Sequence, residues 1–96
     1  MDYTRLGVLA VQIRVADRLK RLLAERRMSL DSTMWFDGRM DLPKPGESWK
    51  LTLFSRGKPA SIELSPAELD EFMAARAFEV VSQKLGGALD SLRLER

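Results

Sequence analysis

The hydrophobic and polar positions are ordered most clearly in the middle of the chain. Trp49, Leu51 and Leu53 alternate with Lys50 and Thr52; after Ser55-Arg56-Gly57-Lys58, Ala60, Ile62 and Leu64 alternate with Ser61 and Glu63. A period of two sends successive side chains to opposite faces, so the spacing predicts two strands joined by a tight turn. The second strand runs directly into Ser65-Pro66-Ala67-Glu68. There a serine hydroxyl and a glutamate carboxylate can satisfy amides of a first helical turn, and proline fills a position that needs no amide hydrogen. A helix is therefore predicted from Pro66.

Toward both ends the period changes to that of a helix. From Thr4 to Arg27, Val8, Val11, Val15, Ala16, Leu19, Leu22 and Leu23 fall on one broad face and Arg14, Asp17, Arg18, Arg21 and Glu25 on the other, with Leu9 and Ile13 widening the apolar arc. Leu9, Val11, Ile13 and Val15 also alternate strictly, so a strand over residues 8–15 is the competing reading. The helical period continues unbroken to Leu23, and one helix is adopted. In the last helix, Leu69, Met73, Ala77, Val80 and Val81 form a stripe that Ala74, Phe78 and Leu85 extend. Gly86-Gly87 is the predicted stop, with Ala88, Leu89 and Leu92 in a short final turn.

Between the first helix and the hairpin, Thr33 to Phe36 reads as a strand, Asp37-Gly38 as a tight turn, and Arg39 to Leu42 as a segment that pairs back. Pro43-Lys44-Pro45-Gly46 excludes helix and central strand and is predicted to be an exposed loop. The expected fold is a single α+β domain over residues 1–96. It has an N-terminal helix, an antiparallel sheet of three to four strands with the hairpin 48–64 at its centre, and a C-terminal helix, the helices lying on one sheet face. Trp49, Leu51, Leu53, Ala60, Ile62 and Leu64 are expected on the core face. Phe54, in phase with Lys50 and Thr52, needs either a covering helix or a ligand.

Composition narrows the chemistry. With 45% apolar and 31% charged residues the chain reads as a soluble globular domain. No apolar run approaches the roughly 20 residues of a membrane span. Arg5, Arg14, Asp17 and Arg18 interrupt the N-terminal segment, so neither a secretory leader nor membrane insertion is expected, and the location expected is cytoplasmic. Cysteine, histidine and asparagine are all absent. That removes thiolate and imidazole chemistry, and no metal, no cofactor and no catalytic residue is expected. Ser65 is accounted for as a helix cap, and Gly57 and Gly86-Gly87 lack the spacing of a phosphate loop.

Three surfaces remain as binding candidates. The first is the excess apolar width of the two helices, with Phe78, Leu85 and Leu89 as the candidate protein interface, either to a partner or to a second copy in a homodimer. The second is the mixture of aromatic and basic residues from Trp35 to Lys58, with Lys50, Phe54, Arg56 and Lys58 as candidate nucleic-acid contacts. The third is the face carrying Arg14, Arg18 and Arg21. Asp17 and Glu25 sit at ion-pairing distance along the same helix, so that face reads as ordinary solvated surface. Charge is uneven between the N-terminal helix, rich in arginine, and the segment of Glu63, Glu68, Asp70, Glu71 and Glu79, which holds only Arg76 in opposition.

The run Ile62-Glu63-Leu64-Ser65-Pro66-Ala67-Glu68 resembles the final strand and helix start of the single-stranded-DNA-binding transcriptional coactivators, whose domain is a curved sheet followed by one helix. The likeness is confined to this run, and a long N-terminal helix has no place in that pattern. The function expected is a small non-catalytic protein-interaction or adaptor module. The alternative is a single-stranded nucleic-acid-binding regulator that uses the hairpin.

Overall fold

A computed structural model of the chain describes residues 3–74 and 78–94. Helix α1 spans Arg5–Arg26 and is capped at both ends. The Gly7 amide donates to Thr4 Oγ1 at 3.2 Å. At the other end Arg27 takes a left-handed conformation with φ of 52°. The Arg27 amide then reaches Ala24 O and the Met28 amide reaches Leu23 O, a pair of backward bonds that satisfies the last carbonyls. Val8, Val11, Val15 and Leu19 are buried at helical spacing while Leu9 and Ile13 are not, which excludes the strand reading of residues 8–15.

Strands β1 (Ser32–Trp35), β2 (Trp49–Ser55) and β3 (Lys58–Leu64) form an antiparallel sheet in the order β1-β2-β3. Arg56 and Gly57 join β2 to β3 with φ of 53° and 76°. Two successive positive values make a primed turn whose twist matches that of the strands. The register runs from Ser55 opposite Lys58 to Trp49 opposite Leu64. With Ser55 and Lys58 exchanging hydrogen bonds next to the turn, alternation along an antiparallel pair turns the backbone groups of Pro59, Ser61 and Glu63 toward the outer edge of β3. Proline's missing amide hydrogen thus costs the ladder nothing.

The segment after β1 departs from expectation. Asp37-Gly38 is not a hairpin turn, and Arg39 to Leu42 does not pair back. Phe36, Asp37 and Gly38 all have positive φ and make one tight helical turn. That turn swings Phe36 inward, where its ring meets Trp49 at 5.4 Å and is buried. The following loop is closed by Arg39 Nη2 on Glu47 Oε1 at 2.6 Å and by the Lys44 amide on Glu47 Oε2 at 3.1 Å. Burial of a large ring and a closed loop outweigh the two-residue turn propensity of Asp-Gly.

Helix α2 spans Pro66–Met73 and has the predicted start: the Glu68 amide donates to Ser65 Oγ at 3.1 Å and the Ser65 amide to Glu68 Oε1 at 2.9 Å. Helix α3 spans Glu79–Leu94 and passes straight through Gly86-Gly87. These glycines do not stop the helix because neither adopts the positive φ of a glycine cap. Of the predicted stripe, Val81 is buried, Val80 is largely exposed and Ala77 lies outside the described residues. Helix α3 packs on β3 and β2, and α1 reaches the rest of the fold chiefly through α3 and α2. Between them lies one core, in which Trp49, Leu51, Leu53 and Leu64 of the sheet meet Leu69, Phe72, Val81, Leu85 and Leu89 of the helices. The fold is α+β as expected, with Ala60 and Ile62 half-buried at the edge of the core face.

Candidate functional site

The four hairpin residues singled out for nucleic-acid contact divide between two places: Lys50 and Phe54 are on the sheet face opposite the core, and Arg56 and Lys58 are at the turn. Lys50 sits near the far end of the hairpin from the turn, and its Nζ is 3.0 Å from Asp37 Oδ1. Phe54 is half-buried on the sheet face opposite the core, in line with Thr52. Thr52 is itself buried between Met34 and Ser61, and its hydroxyl lies 2.9 Å from Ser61 Oγ. Trp49 is fully buried and presents no stacking face: Trp35 meets it edge-on at 6.2 Å and Phe36 packs beside it.

Arg56 and Lys58 instead join residues distant in sequence. They line a cleft of about 230 Å³ together with Arg27 and Arg93, at the end of the molecule where the hairpin turn meets the chain leaving α1 and the last turn of α3. Ser29 and Ser55 add hydroxyls, and Met28 and Leu92 an apolar patch. Asp31 is the one acid of the lining among the described residues, and it ties the cleft together. Its Oδ2 accepts the Arg56 amide at 2.8 Å while its own amide donates to Phe54 O at 2.8 Å. Arg27 and Arg93 carry no sequence signal toward this cleft, because their meeting with Arg56 depends on how α1 and α3 pack.

The candidate protein interface also comes apart. Leu85 and Leu89 are fully buried because α3 is a core helix lying on the sheet, so they offer no surface to a partner. Phe78 is half-buried, edge-on to Phe72 at 5.7 Å and beneath the Arg18 guanidinium at 4.8 Å from the ring centre. Arg14 and Arg21 flank the same shallow groove as Arg18.

Of the exposed large apolar residues, Met40, Leu42 and Val80 lie on other parts of the chain, while Leu6, Leu9 and Ile13 share α1. Leu6 is 79% exposed, and Leu9 and Ile13 about half, at 49% and 52%. At 100° per residue they fall within a band about 60° wide, on the side of the helix away from Val8, Val11 and Val15. Arg5 and Lys20 flank that band, Asp17 is the acid beside it among the described residues, and Arg14 and Arg21 lie farther round the helix toward the Phe78 groove.

Two braces hold the helices that carry these surfaces. Arg26 Nε lies 2.9 Å from Asp90 Oδ1, and the guanidinium holds the Asp90 carboxyl below its ordinary value. Lys84 Nζ donates to Glu68 Oε1 at 2.8 Å and to Glu63 O at 2.7 Å. The Lys84 ammonium, with help from the Ser65 amide, pulls the Glu68 carboxyl below its ordinary value. Among the described residues no helix is long and apolar enough to cross a membrane, and no group of three or more histidine, cysteine or acidic residues is placed to hold a metal ion. Comparison of the chain with protein-family models, with curated proteins and with solved structures finds no match.

Proposed function

We propose that this protein is a non-catalytic interaction module that seats an acidic amphipathic helix of a protein partner on the outer face of α1. The observation that carries this reading is the exposed band of Leu6, Leu9 and Ile13 on a helix whose opposite face is already committed to the core. Spacing of i, i+3 and i+7 is that of a helix-on-helix contact. The bordering charges choose the partner. Arg5 and Lys20 beside the band, with Arg14 and Arg21 farther round, outnumber Asp17, so a second copy docked by the same face would set like charges together, whereas acidic flanks on another helix would be drawn in and oriented.

The test uses fluorescence anisotropy with two labelled synthetic helices that share leucines at i, i+3, i+4 and i+7, one flanked by glutamate and one by lysine. The acidic helix should bind the intact protein, bind more weakly as salt rises, and lose at least tenfold in affinity to the Leu9→Ser, Ile13→Ser double variant. Circular dichroism should be unchanged by those substitutions at exposed positions. Equal binding of the two peptides would overturn the reading. So would a concentration-dependent dimer, abolished by the same double variant, which would assign the face to a second copy of the chain.

A further inference from the structure

We propose that the cleft formed by Arg27, Arg56, Lys58 and Arg93 binds the phosphate group of a small phosphomonoester. This site is separate from the outer face of α1: Ile13 and Arg27 are about 20 Å apart along the helix at 1.5 Å per residue.

Charge is the first argument. Arg27, Arg56 and Arg93 bring three guanidinium groups to the lining, where among the described residues Asp31 is the acid, and one Asp31 oxygen is engaged by the Arg56 amide. The C-terminal ends of α1 and α3 adjoin the same space, each contributing roughly half a negative charge. Counting the three arginines alone against Asp31 and the two helix ends, the described lining stays positive by about one charge, which suits an anionic phosphate group.

Backbone conformation is the second argument and is independent of the first. Arg27 and Arg56 both have left-handed φ values, 52° and 53°. Glycine or asparagine fills such positions with less strain, as the residue after a helix end or in the first place of a primed turn. Of the four non-glycine residues with positive φ among the described residues, these two arginines line the same cleft. Complementing a helix end explains a cation at Arg27 and at Arg93, but not one at Arg56. A use for guanidinium groups in the cleft that both residues line accounts for arginines where the backbone favours other residues.

The lining then sets the ligand's size and character. A space of about 230 Å³ holds a phosphate with a short carbon skeleton, with Ser29 and Ser55 available to hydroxyl groups and Met28 and Leu92 to carbon. No aromatic ring lines it, so the cleft lacks the stacking surface that single-stranded nucleic acids require.

Isothermal titration calorimetry on the full chain with glycerol 3-phosphate and inorganic phosphate tests this, with chloride at matched ionic strength as reference and oligothymidylate as a further ligand. Both phosphates should bind saturably at one site per chain. Arg27→Asn and Arg56→Asn keep residues at ease in the left-handed region and so keep the fold, and Arg93→Gln changes an exposed side chain. Each substitution should weaken binding about tenfold, the loss expected for one charge-assisted hydrogen bond. Lys50→Gln, at the other end of the sheet, should leave it unchanged. Heats no different from chloride, or binding that survives the Arg27→Asn, Arg56→Asn double variant, would overturn the proposal. Oligothymidylate binding more than tenfold tighter than glycerol 3-phosphate and dependent on Phe54 would overturn it in favour of a nucleic-acid strand. None of these results bears on peptide binding at Leu9 and Ile13.

Discussion

Gly86 and Gly87 are neighbours in the middle of α3 and yet serve different purposes. A Cβ added at Gly86 would stand 2.9 Å from Arg26 Nη2, whereas one at Gly87 would meet nothing within 4 Å. Gly86 is therefore the gap through which the Arg26 side chain lies across α3 to reach Asp90. Gly87 performs no such service. Replacing glycine by alanine in an exposed helix interior stabilises by about 1 kcal/mol. Gly87→Ala should give that full gain in chemical denaturation, and Gly86→Ala clearly less, because the displaced guanidinium gives up Asp90 and its neighbours. An equal gain from both would mean that the Arg26 brace does not constrain α3.

At the scale of elements, the junction of β3, α2 and α3 is held by Lys84, which serves the Glu68 carboxylate and the Glu63 carbonyl together. The folded-state pKa of Glu68 lies below its ordinary value of 4.5, first through Lys84 and then through the Ser65 amide. A depressed carboxylate contributes stability above its unfolded value, and that contribution fades as pH falls through the folded one. Lys84→Met should therefore lower the melting temperature at pH 7, with the gap to the natural protein narrowing below about pH 4.5. A gap independent of pH would show that Lys84 acts through Glu63 O and packing alone.

The elements also show where sequence suffices. The hairpin and the Ser65-Glu68 cap were legible because their signals are local: alternation over seven residues and two side chains within four positions of a helix start. Gly86-Gly87 and Asp37-Gly38 misled for different physical reasons. Gly86 and Gly87 offer a positive φ that α3 does not take, whereas Asp37 and Gly38 do take it, in a turn that buries Phe36 and leads to no returning strand. Arg56 and Lys58 were legible as exposed cations, but their union with Arg27 and Arg93 is a fact of packing. Leu85 and Leu89 looked like surplus apolar width because a helix that rests on a sheet and carries another helix needs two apolar sides.

The whole molecule is flattened, 38 by 29 by 18 Å, and α1 lies at its margin, attached mainly to other helices. Strand β2 is paired on both sides and contributes Trp49, Leu51 and Leu53 to the interior. Such a difference in anchorage sets a hierarchy of opening, since elements with fewer buried contacts open below the global free energy. Hydrogen exchange followed by mass spectrometry should find amides of β2 protected at least tenfold longer than those of α1. An acidic peptide seated on Leu6, Leu9 and Ile13 should selectively slow α1. Uniform exchange across both elements would mean that α1 opens only with the whole fold.

The outer margin of β3 bears on how these molecules behave when crowded together. An exposed strand invites another copy to lie alongside it and continue the sheet, and fibres grow by repeating that step. Here the outward row offers Pro59 without a donor, Ser61 intact, and Glu63 with its carbonyl already occupied by Lys84. A newcomer would find one residue with both groups untouched, bordered by one that has no donor and one whose acceptor is shared. The lysine that fastens α3 to the hairpin thus also competes for an acceptor that a further strand would use.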